Sequence, residues 1–192
     1  MTHTKSFGTI GTIGRFKPVH KGHTVMLEAL CQQAEHVIIG IGSSNKHDYR
    51  NPFTAQESMA MIDLFLKPTY SNYSFIEVPD FDNGPVWRQH ILALYGPLDA
   101  FASANNYVRS LLKDDYKLIL PITLVPKEKH VYLSATMVRI AMARGEQWEY
   151  FVPEIIVSYI KKHRLDERFC NEFGLATIAV HSQDIFTEVT NS

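Results

Sequence analysis

A doubly wound α/β fold, with a parallel sheet carrying helices on both faces, is the class this chain predicts, and three observations predict it. Strand-like and helix-like segments alternate along the chain. The segment His36–Ile41, HVIIGI, is apolar without alternation, as in a strand buried on both faces. The first strand, helix and second strand fit in about 35 residues, the size of a βαβ unit. The 192 residues, 45% of them hydrophobic and 20% charged, suffice for one domain with a full core.

The elements follow in order. Phe7–Ile13 is a buried strand running into a glycine turn, and Gly22–Ala34 is a helix in which Val25, Leu27, Leu30 and Cys31 recur at helical spacing. After His36–Ile41 comes a polar loop, Gly42–Pro52. Thr54 and Glu57 form a capping box opening a helix that carries Met59, Ile62, Leu64 and Phe65. Tyr73–Val78 is the third strand, Trp87–Tyr95 a helix, Asp99–Ala102 a short strand, Asn106–Lys113 a helix and Tyr116–Leu120 a strand. Ser134 caps a helix that runs through Ala143 and stops at Gly145. Glu154–His163 is a further helix. From Leu165 the pattern fades, with a strand or arm at Leu175–Val180 one option, and Thr187–Ser192 reads as a polar tail.

Charge and cysteine content narrow the function. A net charge of −1 gives no bulk attraction to nucleic acid or an anionic membrane, so any anion must bind at a local site. Cys31 and Cys170 have no metal-ligand spacing and are expected to be inert. MTHTKSFGTI lacks the apolar core of a signal peptide, and no apolar run reaches membrane-span length, so a reduced, cytoplasmic protein is expected.

The chemistry concentrates in Gly14–His23, GRFKPVHKGH, between a strand and a helix N-terminus. A helix N-terminus offers free N–H groups and a positive dipole end to an anion. Gly14 permits a tight turn with close backbone approach. His20 and His23 can aim ring nitrogens at one oxygen cluster, and Arg15 and Lys17 add charge. An imidazole N–H stabilises charge growing on a phosphoryl group. Histidines at i and i+3 with no nearby carboxylate or cysteine are poor zinc ligands, and no metal-ligating residues are assigned. Two exposed, idle histidines are the bland alternative.

GRFKPVHKGH resembles the signature of the H-x-G-H nucleotidyltransferase superfamily. The second element expected of that superfamily, a Ser/Thr turn with an arginine one helical turn on, reads Leu133–Arg139, LSATMVR. Between them, IIGIGSSNKHDYRNPFTAQES is similar to the corresponding run of archaeal-type nicotinamide mononucleotide adenylyltransferases, and the likeness extends over about Phe7–Arg168. The resemblance implies a Rossmann-like nucleotidyltransferase fold, a domain over 1–168 with 169–192 as its C-terminal extension, and transfer of AMP from ATP to nicotinamide mononucleotide with release of pyrophosphate. It implies Mg²⁺ carried mainly by the ATP phosphates, and homo-oligomeric assembly.

Carried over by residue, His20, His23 and Arg139 are the catalytic set. Gly14, Arg15, Phe16, Gly22 and Arg50 fall to the ATP side, with Ser103, Asn105, Ser134 and Thr136 along the adenylate. Ser43, Asp80 and Trp87 border the pyridine nucleotide. The chain departs from the family at Lys17, where glutamine is usual, at Ala104 and Ala135, where glycines are expected, and at Gly84, where an asparagine is expected. Two alternatives stay open: the same chemistry on nicotinate mononucleotide or another phosphorylated small molecule, and a module that senses ATP or NAD without turnover.

Overall fold

In the computed structural model, which describes residues 5–181, the chain forms a five-stranded parallel sheet in the order β3-β2-β1-β4-β5. The strands are β1 (Phe7–Gly14), β2 (Ala34–Gly42), β3 (Tyr73–Val78), β4 (Ala100–Ala102) and β5 (Leu118–Ile119). The helices between them are α1 (Lys21–Gln33), α2 (Ala55–Leu66), α3 (Gly84–Tyr95) and α4 (Asn106–Leu112). Beyond the sheet lie α5 (Ala135–Ala143), α6 (Glu154–Lys162) and α7 (Leu165–Phe169). The strand order reverses between β1 and β4, and in an open parallel sheet ligands bind in the crevice at such a switch point.

Two cores explain why β2 is apolar on both faces. Val37, Ile39 and Ile41 join Ile10 against Leu27 and Leu30 of α1, and Ile62, Val138 and Ile156 of α2, α5 and α6 fill the same cluster. On the other face, Ile38 and Ile76 pack with Ile91 and Tyr95 of α3, Phe101, and Leu112 of α4. Tyr95 needs a window in the sheet. Its hydroxyl donates to the Thr12 carbonyl at 2.7 Å, and a Cβ at Gly40 would lie 2.1 Å from that hydroxyl oxygen. Glycine at 11 and 40 therefore admits the ring, which gives the glycine-rich β1 a packing reason.

Local signals and structure agree at the caps. Thr54 Oγ1 accepts from the Glu57 N–H at 3.1 Å while Glu57 Oε2 accepts from the Thr54 N–H at 2.9 Å, closing the box. Ser134 caps α5 through the Met137 N–H, and Gly145 follows at φ 68°. Cys31 is buried, and burial pushes its thiol up to about 12, the inert condition expected of it.

Three elements differ from expectation. The fifth strand is shorter than Tyr116–Leu120, because Tyr116 turns into the second core and Pro121 opens a 3₁₀ turn, Pro121–Leu124. Helix α3 begins three residues before Trp87, since Asn83 caps it and Pro85 sits in its first turn. Past Leu165 the chain is helical rather than faded: α7 passes into π-helical turns at Cys170–Gly174 and residues 175–181 continue as helix, which removes the option of a strand there. Phe169 is fully buried in the first core. The polar tail at Thr187–Ser192 lies outside the described residues. Among the described residues no helix is long and apolar enough to cross a membrane.

Candidate active site

The turn after β1 is shaped by its own ring. Phe16 stands at φ 54° with its side chain buried under Gly14, where a Cβ would come within 2.9 Å of the ring. The Phe16 ring then meets His23 edge-on at 4.8 Å, and the His23 ring stacks on His20 at 3.7 Å. His20 is the N-cap of α1, and its Nδ1 accepts from the Gly22 N–H at 3.2 Å. An imidazole accepting at Nδ1 and kept neutral carries its proton on Nε2, so His20 offers a single fixed donor.

Burial keeps it neutral. Desolvation, with the Arg139 guanidinium second, lowers the His20 pKa to about 4. His23 is also held well below its usual value, by burial first and then by His20. Its Nδ1 is buried without a partner, a polar atom waiting for one.

Arg139 arrives from α5, 122 residues beyond Lys17. Its Nη1 donates to the Lys17 carbonyl at 2.8 Å and its Nη2 to Thr136 Oγ1 at 3.1 Å, while Nε is buried without a partner. Burial, then repulsion from Arg15, lowers its pKa to about 10, with Arg50 acting in the same direction. Arg139 beside the neutral His20, with Arg15 and Arg50 near Arg139, makes a positive setting that matches an anion.

Two cavities open on this turn. The first, about 280 Å³, is lined by Gly14, Phe16, Gly22, His23, Ser103 and Asn105, over an apolar floor that includes Met26, Ile122 and Val125. The second, about 530 Å³, is lined by Arg15, Ser43, Asp80 and Trp87, with Phe81, Asp82, Asn83 and Tyr107 at its sides. They share Ile13, Gly14 and Asn105, at the ends of β1 and after β4. Of the fifteen residues given a site role from the sequence, ten line one cavity or the other. His20, Arg50, Arg139, Ser134 and Thr136 line neither: His20 backs His23, Thr136 holds Arg139, Ser134 caps α5, and Arg50 lies exposed, its Nε on Tyr49 Oη at 2.9 Å.

The sequence reading missed several lining residues. Asn83, one place before the Gly84 position where the family's asparagine is expected, does line the second cavity, while Phe81, Asp82 and Tyr107 were not singled out. The floor residues Ile122 and Val125 had no signal, since a short apolar stretch between prolines carries no period. Lys17 differs from expectation outright. It is fully buried, and its Nζ donates to the Ser43 carbonyl at 2.8 Å instead of lining a cavity.

The cytidylyltransferase-like family model matches residues 12–190. Among curated proteins the chain is 37% identical over 163 residues to the nicotinamide-nucleotide adenylyltransferase of Pyrococcus horikoshii, covering 83% of this chain and 86% of that one. It is 32% identical over 169 residues to the enzyme of that name from Methanococcus vannielii, covering 84% and 96%. The chain belongs to the cytidylyltransferase-like family, in its archaeal-type nicotinamide-nucleotide adenylyltransferase branch. Among solved structures, a bifunctional NMN adenylyltransferase/ADP ribose pyrophosphatase from Francisella tularensis matches with a TM-score of 0.69 at 15% identity. A second structure of such a protein, complexed with AMP and a Mn ion, gives 0.67 at 16%. The match covers 95% of this chain and only 57% and 56% of those chains, and at that identity it speaks for the nucleotidyltransferase fold alone.

Proposed function

We infer that the chain transfers AMP from ATP to nicotinamide mononucleotide, giving NAD and pyrophosphate. A phosphate oxygen of the mononucleotide attacks the α-phosphorus, that P–O bond forms as the bond to the bridging oxygen breaks, and pyrophosphate leaves. The attacking phosphate is already ionised near neutral pH, so no general base is needed. The observation that carries this reading is the pair of adjoining cavities meeting over Gly14 and Asn105, with His23 lining one and Arg15 the other, His20 stacked on His23, and Arg139 near enough to His20 to depress its pKa. Two nucleotides held end to end need two pockets and one charged seam.

On this reading the first cavity takes the adenosine, its apolar floor under the base, with Ser103 and Asn105 toward the ribose. His23 and His20 donate to the phosphates from neutral rings. Arg139, backed by Arg15 and Arg50, takes the charge that moves onto the leaving pyrophosphate. Trp87 offers a face to the pyridine ring. Asp80 favours a neutral carboxamide over a carboxylate on that ring, which sets nicotinamide above nicotinate, while Asp82 is paired with Lys46 at 2.9 Å.

The described residues hold no cluster of three metal-ligating side chains. A divalent cation would enter on the triphosphate as part of the substrate, and Mg²⁺ is the ion proposed. We also propose that 1–168 form the catalytic domain with 169–192 as its extension, supported by Phe169 in the shared core. A cytoplasmic location and homo-oligomeric assembly complete the proposal.

The test is pyrophosphate release with MgATP and each acceptor in turn. The wild type is expected to turn over with nicotinamide mononucleotide, and His23→Ala to lose roughly 10²–10³ in kcat, the usual cost of a transition-state donor. Near-normal turnover in that variant would sink the mechanism.

A further inference from the structure

One buried cation joins the two halves of the site without touching either cavity. Lys17 is fully buried, a rare condition for a lysine that needs a compensating reason. Its two polar ends point in different directions. The carbonyl accepts from Arg139 Nη1 at 2.8 Å. The ammonium donates to the Ser43 carbonyl at 2.8 Å.

Ser43 itself stands at φ 52°, a left-handed conformation that a serine keeps only where its neighbours impose it. In that conformation its hydroxyl donates to Asp80 Oδ2 at 2.7 Å. Asp80 is fixed from a second side by Asn45, whose Oδ1 accepts from the Asp80 N–H at 2.8 Å and whose Nδ2 donates to the Asp80 carbonyl at 2.9 Å. The Lys46 N–H also donates to the Ser43 carbonyl, at the longer distance of 3.2 Å. Ser43 and Asp80 both line the second cavity, and Lys17 does not.

We propose that Lys17 is a positioning residue for the acceptor pocket, its buried ammonium holding the Ser43 turn so that Ser43 and Asp80 present a fixed wall, while its backbone carbonyl anchors Arg139 on the triphosphate side. This rests on the adenylyltransferase reading above. The charged groups that face the ammonium are Arg15, Asp48, Asp80 and Glu77; burial first, then Arg15, brings its pKa down to about 8, and the three carboxylates act the other way. Removing the side chain leaves the carbonyl hold on Arg139 in place, so the two substrates respond differently.

The experiment measures KM for nicotinamide mononucleotide and for ATP in the wild type, Lys17→Met, Ser43→Ala and the double variant, with a melting curve for each. Lys17→Met is expected to raise KM for the mononucleotide about tenfold and to leave KM for ATP within about twofold. The double variant is expected to be no worse than the poorer single one, since both act on one wall. Equal rises in both KM values, multiplicative single effects, or a lowered melting temperature with unchanged KM values overturn the proposal. If Lys17→Met does not fold, Lys17→Gln, which keeps a donor but shortens its reach to the Ser43 carbonyl, decides by the same split of KM values, and an unsplit result overturns the proposal. A wild type that releases no pyrophosphate sinks the parent reading, whereas an active wild type with unsplit KM values sinks this one alone.

Discussion

Acid should unfold this protein through its histidine pair, and His20→Asn isolates one partner. The native pKa of His20, about 4, lies below the ordinary 6.5. The unfolded chain therefore binds a proton that the native state refuses. Stability is complete above about pH 6.5 and falls as pH drops toward about 4. Between pH about 7.5 and about 5, the linkage integral for that shift is about 2 kcal/mol for His20 alone. His23 is displaced in the same direction and adds to the loss.

Asparagine is a good N-cap and does not titrate, so the variant keeps an acceptor for the Gly22 N–H. The assay is urea unfolding of wild type and variant at both pH values. The variant is expected to lose about 2 kcal/mol less than the wild type on acidification. Equal losses would refute the claim that His20 is held neutral by its surroundings.

Three other perturbations test separate features. Gly40→Ala puts a methyl group against Tyr95 Oη and should cost about 3 kcal/mol or more in urea unfolding; a cost below about 1 kcal/mol would mean the ring has room to move. Arg168→Met removes Nη1 and Nη2 from Glu57, each at 2.7 Å, and Nη2 from the Pro52 carbonyl at 3.1 Å. That partly buried pair should cost about 1–3 kcal/mol, read in the same assay, and an unchanged midpoint would refute it. Arg139→Lys keeps a charge but loses the fork that reaches both the Lys17 carbonyl and Thr136, so kcat/KM for ATP should fall by about tenfold or more, and steady-state kinetics showing no fall would argue against a phosphate role.

The parts of the fold legible in the sequence were those fixed by local rules. The Thr54–Glu57 box lies within one helical turn, and the apolar run of β2 has a single explanation, burial on both faces. The C-terminal helical segment was not legible, because Leu175 and Val180 are exposed while Thr177 is buried, which inverts the pattern a reader looks for. The same limit governs the site. GRFKPVHKGH carries its geometry in ten adjacent residues, so its meaning could be read directly. The fate of Lys17 depends on Ser43 and Arg139, 26 and 122 residues away, and no local spacing announces a buried cation. Cavity floors suffer likewise: Ile122 and Val125 lie in and just after a single 3₁₀ turn, too short for any hydrophobic period to show.

The contacts made by the last described helices bear on the order in which the site is finished. Arg168 grips Glu57 and Pro52 at the end of the polar loop, and Glu172 meets His47 within it at 3.0 Å. During synthesis the histidine turn and the loop emerge long before their clasp does. A nascent chain stopped before Arg168 carries all the histidines and arginines assigned to the chemistry, yet leaves the loop bearing Arg50 without those ties. The loop that bears Arg50 thus receives its last ties from residues assigned no part in the chemistry.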